Sequence, residues 1–350
     1  MLAERLTAQL LSGPPAAGPQ EVAGRLLAVQ AQDPRGARLA IRARATGLTA
    51  RDVDRALSEE RSIVISWLNR GTLHVVRRED YGWLHALTTP QLLTGNARRL
   101  AQEGVSPRAA DRGVAVVERA LADDGPLTRA ALRERVAAAG VRTEGQALVH
   151  ILVLATLRGL IVRGPVAGRD QAFVLTRDWL GEAGPVDRGM ALAELARRYL
   201  TGHGPADDRD LAKWAGVRLS DARAGLRSIA AELTERPDGL VDLAGRGPAA
   251  ELPGPRLLGA FDPLLLGWRS REQILGSHQG VVTVNGIFRP IALVRGRAVA
   301  TWRMPAGEVV LEPFGRIARS DREALAADAQ DVVRFLAVVP DSVDAPTQHR

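Results

Sequence analysis

The chain has no cysteine among its 350 residues. This excludes disulfides, thiolate catalysis and cysteine-ligated zinc or iron–sulfur centres. The six histidines have no metal-ligand spacing, and neither HExxH nor GxSxG occurs, so we predict no metal site and no cofactor. No run of about eighteen apolar residues occurs, and the charged amphipathic start does not resemble a signal peptide. We therefore expect a soluble cytoplasmic protein that does not contact a membrane.

Lysine is almost absent, since Lys213 is the only one. The 47 basic and 40 acidic residues give a net charge of +7, and the sequence pI is about 10.9. Arginine suits bidentate contacts with phosphates and base edges, which makes a nucleic acid a candidate partner. The codon bias of a high-GC genome is an alternative explanation for the excess of arginine, but not for the positive sign.

Helices followed by a β-hairpin recur along the first 245 residues. The clearest hairpin has runs at Ile63–Leu68 and Thr72–Val76, joined by Asn69-Arg70-Gly71. Helices before a hairpin are typical of a winged helix, so the recurrence predicts three tandem winged-helix units. The expected units span 1–104 (with connecting helices), 105–186 and 187–245.

The composition shifts toward β-strand after the Pro/Gly-rich segment GRGPAAELPGP. We predict an α+β fold in which a β-rich, barrel-like domain at 256–340 follows the three units and ends in a helix. Asn285-Gly286 is the strongest hairpin turn signal, and Arg295-Gly296 is a second one. The expected strands are Arg256–Phe261, Val281–Val284, Ile287–Val294, Arg297–Trp302 and Glu308–Leu311.

The segment Leu26–Arg44 organises the interpretation of function. A helix is expected from about 20 to 31, and Asp33 followed by Pro34 is a strong start for the next helix. If the chain between them is extended, Gln30 and Gln32 point the same way, and two neutral amides share one face beside a helix N-terminus. Such a place is suited to phosphate.

Basic residues accompany this amide pair. Arg35, Arg38 and Arg42 recur at i, i+3 and i+7 on the second helix, and Arg70 and His74 lie on the first hairpin. Taken alone, these features are weak, because a QxQ tripeptide is common and surface amides usually have no role. A turn with a solvated arginine and a packed or capping histidine would explain Arg70 and His74 equally well.

Four segments together resemble the bacterial AlkZ/YcaQ-type winged-helix DNA glycosylases: VQAQDPR, NRGTLHVVRREDYGWL, FDPLLLGWRSR and VNGIFRPIALVRGRAVATW. They occur in the expected order with compatible spacing between about residues 20 and 336. The resemblance implies three winged helices forming a C-shaped basic concave surface, with a β-rich C-terminal domain. It also implies excision of alkylated purines, chiefly N7-alkylguanine, and in some members the unhooking of interstrand crosslinks.

The resemblance also implies which residues are catalytic. The family carries Gln–apolar–Gln in one branch and Gln–apolar–Asp in another. Gln30-Ala31-Gln32 matches the first branch, while Asp33 lies one position too late for the second. Alkylation at N7 makes guanine a cationic leaving group that needs no general acid. Two oriented amide carbonyls then suffice to position water and stabilise an oxocarbenium-like sugar.

We therefore predict a monofunctional DNA glycosylase that acts as a monomer on double-stranded DNA carrying alkylated or crosslinked purines. A base crosslinked to the other strand cannot be flipped out freely, so the enzyme is expected to reach the sugar within the duplex. The alternative is a non-catalytic winged-helix DNA-binding protein or transcriptional regulator, although three units favour wrapping a duplex. Predicted DNA contacts are Arg35, Arg38, Arg42, Arg70, His74 and, beside Phe288 on the Asn285-Gly286 hairpin, Arg289.

Overall fold

The computed structural model describes residues 1–168, 170–182 and 184–336, apart from the side chain of Gln279. It mixes helix and sheet, and helices alternate with hairpins in the predicted order. The first part of the chain contains α1 Leu2–Ala8, α2 Pro19–Leu26, β1 Val29–Gln30, α3 Pro34–Arg42, α4 Ala50–Ser58, β2 Ile63–Leu68, β3 Thr72–Arg77, α5 Arg78–Thr88 and α6 Leu93–Gln102.

Two further groups of helices and strands follow before residue 245. The next group comprises α7 Pro107–Asp124, α8 Arg129–Ala138, α9 Ala147–Leu157, β4 Ile161–Ala167, β5 Asp170–Leu175 and α10 Thr176–Leu180. The third group comprises α11 Arg188–His203, α12 Asp208–Ala215, α13 Leu219–Ser228, β6 Leu233–Glu235 and β7 Val241–Leu243. The three predicted hairpins are therefore confirmed, and the division of the chain into three winged-helix units stays a prediction.

Side-chain caps explain where several of these helices begin. The Ser106 and Thr128 hydroxyls accept hydrogen bonds from backbone N–H groups in the first turns of α7 and α8, and the Asp207 carboxylate does the same in α12. Thr49 and Asp52 form a reciprocal capping box at the start of α4. Each of these starts is specified by residues within one turn of it.

The first two hairpins share one antiparallel sheet, which the sequence did not predict. Its strand order is β1-β3-β2-β4-β5, and the hairpins meet where Ile65 pairs with Arg163. The third hairpin forms a separate two-stranded sheet. The short strand β1 lies at the edge of the five-stranded sheet and carries the first of the two predicted catalytic amides.

The C-terminal region is built on a four-stranded antiparallel sheet of order β11-β10-β9-β8. Its elements are β8 Arg256–Leu258, α14 Pro263–Leu266, α15 Glu272–Leu275, β9 Ile291–Val294, β10 Arg297–Arg303, β11 Val310–Pro313 and α16 Arg319–Leu336. Arg295 and Gly296 both have positive φ, at 50° and 77°, as a two-residue type I′ hairpin turn requires. The prediction of that turn is confirmed.

The prediction of strands immediately before residue 290 is wrong. The isolated bridge Val282–Phe288 joins the two arms around Asn285-Gly286. Backbone hydrogen bonds from Thr283 N–H to the Ile287 carbonyl and from Arg289 N–H to the Val281 carbonyl join them as well, but a regular strand begins only at Ile291. Val282 and Phe288 pack against the core, whereas Val284 is fully exposed and Ile287 is half exposed, so the tip of this hairpin is not covered. The predicted strand Arg256–Phe261 also ends early, at Leu258.

The hydrophobic cores cross the predicted domain boundaries. One core contains Leu6, Val64, Tyr199 and Trp268, which come from the first, third and C-terminal regions. A second core packs α2, α3 and α4 against the C-terminal sheet and α16. The C-terminal region therefore supports the segment that carries the amides. No helix in the described ranges is long and apolar enough to cross a membrane.

Candidate active site

An extended segment between α2 and α3 carries the two glutamines. The helix α2 ends at Leu26, because Leu27 adopts a positive φ of 64°, so the expectation of a helix to about 31 is wrong. The segment then pairs with β3, where Gln30 lies opposite His74 and the Ala31 N–H donates to the Leu73 carbonyl at 2.7 Å. Residues two apart share a face in an extended chain, but β1 ends at Gln30, and Gln30 is buried whereas Gln32 is exposed.

The two amides have different environments. Gln30 is 7% exposed, and its Oε1 is buried without a hydrogen-bond donor in the described part of the chain. Gln32 is exposed, and its Oε1 accepts a hydrogen bond from the Leu73 N–H at 3.1 Å. A carbonyl oxygen accepts two hydrogen bonds, so Gln30 retains both positions and Gln32 retains one.

The residues around the pair hold it in place. Ala31 is 3% exposed and belongs to the core beneath the sheet. Asp33 is extended, at φ −107° and ψ 112°, and its Oδ1 accepts from the Gly36 N–H at 2.6 Å. The predicted N-cap is thus confirmed. The carboxylate of Asp33 is engaged with the helix, and the two glutamines lie in the segment just before it.

His74 lies opposite Gln30 on the neighbouring strand, and its side chain is neutral. It is 2% exposed, and its Nδ1–H donates to the Thr72 carbonyl at 2.9 Å. Burial, followed by the positive charge of Arg70, lowers the pKa of His74 to about 3. A buried neutral imidazole is poorly suited to bind phosphate, and the alternative of a packed histidine describes its environment.

The three predicted arginines of α3 have separate environments. Arg35 is exposed, while Arg38 donates to Asp54 Oδ1 at 2.9 Å and to the Pro34 carbonyl at 3.0 Å. Arg42 is buried, and its guanidinium pairs with Asp328 and Asp331 of α16. Helical spacing places the three arginines along one helix, but the packing of α16 removes Arg42 from that surface. The structure supports Arg35 as a DNA contact more than Arg42.

The first hairpin turn does not project freely into solvent. Asn69 is fully buried, and a Cβ on Gly216, which follows α12, would lie 3.0 Å from the Asn69 carbonyl group. Arg70 is half-buried and donates through Nη1 to the Trp214 carbonyl. The position of Arg70 is therefore set by the third group of helices, which the alternative of a solvated arginine did not anticipate.

The Asn285-Gly286 hairpin is more exposed than the turn between β2 and β3. Arg289 is exposed, and Phe288 contacts Phe261 with ring centroids 5.7 Å apart. The guanidinium of Arg271 stacks over the Phe288 ring at 4.9 Å. Arg271 and Lys213 were not predicted from the sequence as functional residues, because their proximity to Arg70 depends on tertiary packing. Lys213 is the only lysine in a chain rich in arginine, and this was the one feature of the sequence that could have marked it as functional.

Comparisons with known proteins identify the family of this chain. A family model described as DNA glycosylase AlkZ-like matches residues 23–335. An interstrand DNA cross-link repair glycosylase from Streptomyces sahachiroi is 28% identical over 365 aligned positions, covering 95% of both chains. The solved structure of Streptomyces sahachiroi DNA glycosylase AlkZ superposes with a TM-score of 0.76 at 26% identity, again over 95% of both chains. The chain therefore belongs to the AlkZ-like family of DNA glycosylases.

Proposed function

We propose that this protein hydrolyses the N-glycosidic bond of N7-alkylated purines in double-stranded DNA. The observation that carries the proposal is the buried Gln30 Oε1, which has no donor in the described part of the chain and lies beside the anchored amide of Gln32. Orphaned buried acceptors destabilise a fold, so their retention suggests a ligand. Membership of the glycosylase family supports water and the sugar as that ligand.

The chemistry needs little acid or base catalysis. An N7-alkylpurine is cationic, so heterolysis of the C1′–N9 bond releases a neutral base and leaves positive charge on the sugar. Water then adds to C1′ and loses a proton to solvent. The free lone pairs of Gln30 and Gln32 serve to accept hydrogen bonds from this water and to direct negative dipole ends toward the sugar.

The same geometry restricts the substrates. His74 is neutral and its single N–H donates to the Thr72 carbonyl, so it is not a proton donor for a poor leaving group. A glutamine amide is too weak a base to activate water strongly. Unmodified purines should therefore resist the enzyme, while lesions with a weakened glycosidic bond should react.

We extend the proposal to purines in interstrand crosslinks. Gln32 is exposed, which suits an approach to the sugar from outside the stack without complete extrusion of the base. The Streptomyces sahachiroi relative is named for cross-link repair. We further propose that the protein acts as a monomer in the cytoplasm, on nucleoid DNA. Light scattering with and without a duplex would measure its oligomeric state.

The decisive experiment uses a duplex that contains one N7-methylguanine. Under single-turnover conditions we expect release of 7-methylguanine and an abasic site, with no release from the matched unmodified duplex. A parallel preparation of the Gln30→Ala/Gln32→Ala variant controls for a contaminating glycosylase. A non-catalytic regulator would instead bind without base release and would prefer one operator sequence. Release that is equal with protein and buffer would reject the proposed activity.

A further inference from the structure

Three positive side chains near the amide pair have no acidic partner. Arg70, Lys213 and Arg271 come from the β2–β3 turn, from α12 and from the residue before α15. None of them forms an ion pair within the described ranges, although many other arginines do. The neighbouring Arg269, for example, pairs with Asp207 at 2.8 Å and Asp210 at 3.3 Å.

Tertiary packing brings Arg70 to Lys213. The close approach of Gly216 to the Asn69 carbonyl holds the β2–β3 turn against the end of α12. Arg70 Nη1 then donates to the carbonyl of Trp214, the residue immediately after Lys213. Arg70 is half-buried and Lys213 is exposed, so solvent reaches both of these neighbouring cations.

Arg271 is held in place from the C-terminal region. Its Nε donates to the Leu265 carbonyl at 2.6 Å, and its guanidinium stacks over Phe288. Within the described ranges, this leaves its two Nη groups without hydrogen-bond acceptors. A guanidinium anchored at one edge and open at the other is pre-organised for an oxyanion.

The three charges interact with one another. Burial and then the charge of Arg271 lower the pKa of Arg70. Burial lowers the pKa of Lys213 first, followed by Arg271, Arg269 and Arg70, while Asp210 opposes them. Gathering like charges without a counter-ion costs folding free energy. That cost indicates a bound anion.

We propose that Arg70, Lys213 and Arg271 together bind one backbone phosphate of the lesion-bearing strand, next to the nucleotide whose sugar faces Gln30 and Gln32. This inference rests on the proposed function. Arg70 is close enough to affect the pKa of His74, and His74 lies opposite Gln30. These three side chains, called the phosphate cradle below, therefore lie beside the reacting centre. A phosphate fixed there would set the position of the sugar.

A neutral-phosphate scan tests the cradle directly. The probe is a duplex with 2′-fluoro-stabilised N7-methylguanine, which resists hydrolysis, and a single methylphosphonate placed in turn at each linkage around the lesion. For the wild-type protein, we expect roughly 10-fold weaker binding when one lesion-strand linkage is neutral, the scale of one charge-assisted contact. Lys213→Gln and Arg271→Gln should each bind the ordinary duplex more weakly and should lose less affinity than the wild-type protein does when that linkage is made neutral, because two of the three cations remain.

The matched control is Arg197→Gln, which removes the same charge from an arginine already paired with Glu194 and Glu232. It should show the same loss of affinity as the wild-type protein at each neutral linkage. Additive losses in Lys213→Gln and Arg271→Gln, or affinities equal to those of the control, would overturn the cradle. Lys213 is exposed, so its variant should fold even if Arg271→Gln does not. Base release by the wild-type enzyme is a separate measurement, so failure of the glycosylase proposal would be distinguishable.

Discussion

Gln30 and His74 face each other across the antiparallel pair of β1 and β3. Directly opposed side chains lie on the same face of a sheet and are close neighbours. The imidazole is held by its own hydrogen bond to the Thr72 carbonyl, so it limits the positions that the Gln30 side chain can adopt. This edge strand orders Gln30 more firmly than a loop would, as the proposed catalysis requires.

Removing either amide should impair chemistry and leave binding intact. Gln30→Ala and Gln32→Ala each delete one oriented carbonyl without changing charge, so affinity for a lesion duplex should change little. Single-turnover release of 7-methylguanine should fall by about 10²-fold, the scale for loss of one preorganised polar group. Circular dichroism melts check folding. Wild-type rates in both folded variants would reject the catalytic assignment.

Gln32→Glu is a sharper probe of the same site. A carboxylate would stabilise a cationic sugar and assist water, yet it would repel nearby phosphates, so we expect partial activity. Because its side chain would titrate, the variant should gain a pH dependence that the wild-type enzyme lacks. Rate profiles of both proteins between pH 4 and 8, each divided by the folded fraction measured at that pH, give this difference. Superimposable profiles would show that residue 32 does not contact the reacting atoms.

Acidification should weaken the fold before carboxylates begin to titrate. Burial lowers the pKa values of His74 and His203 to about 3, whereas an unfolded histidine titrates near about 6.5. Below that value the unfolded chain binds protons that the folded chain does not. Stability should therefore fall as pH decreases from about 6.5 toward 3, by about 1.4 kcal/mol per pH unit for each histidine. Urea midpoints that stay constant from pH 7.5 to 5 would contradict this.

Gly36 is predicted to be essential for placing the catalytic segment. A Cβ there would lie 2.3 Å from the Ala260 carbonyl oxygen, so Gly36→Ala must separate α3 from the C-terminal region. We expect a loss of roughly 1–3 kcal/mol of stability and slower excision. Gly95→Ala is the matched control, since nothing lies within 4 Å of its Cβ. It should raise helix stability by roughly 0.5–1 kcal/mol. An equal response at both positions would refute the packing argument.

Arg35 and Arg42 should separate binding from stability. Arg35→Gln should weaken duplex binding and lower the slope of log affinity against log salt by about 1, as expected for one lost phosphate contact. Arg42→Gln leaves Asp328 without its cation and Asp331 with Arg334 alone, so it should cost roughly 1–3 kcal/mol of folding free energy and little of the salt slope. Salt titrations and denaturant curves of both variants make the comparison. A lower salt slope for Arg42→Gln with unchanged stability would instead identify Arg42 as a DNA contact.

The hairpin around Asn285-Gly286 should matter most for bulky lesions. Its tip exposes Val284 completely, and Arg289 is exposed beside it. An apolar tip next to a cation suits insertion into a distorted groove. Shortening the turn should reduce crosslink unhooking more than excision of N7-methylguanine. An equal loss on both substrates, accompanied by a lower melting temperature, would identify an ordinary structural hairpin.

The sequence by itself determined the local parts of this protein. Asp33-Pro34 begins α3, Thr49 caps α4 and Arg295-Gly296 forms a tight turn, because each signal lies within a few residues of the structure that it specifies. The amide pair was likewise identified from neighbouring residues, with its role implied by family resemblance. The expected strand at Val281–Val284 failed because alternation alone does not show whether a second surface will cover the apolar face.

Only the tertiary structure decided which distant groups meet. It placed Gln30 against His74, buried Arg42 beside α16, and joined Arg70 to α12. These partners are separated by tens to hundreds of residues, and helical or strand periodicity specifies a direction for a side chain without specifying its neighbour. Burial and charge pairing depend on those neighbours. They decide which arginines support the fold and which remain available for phosphate.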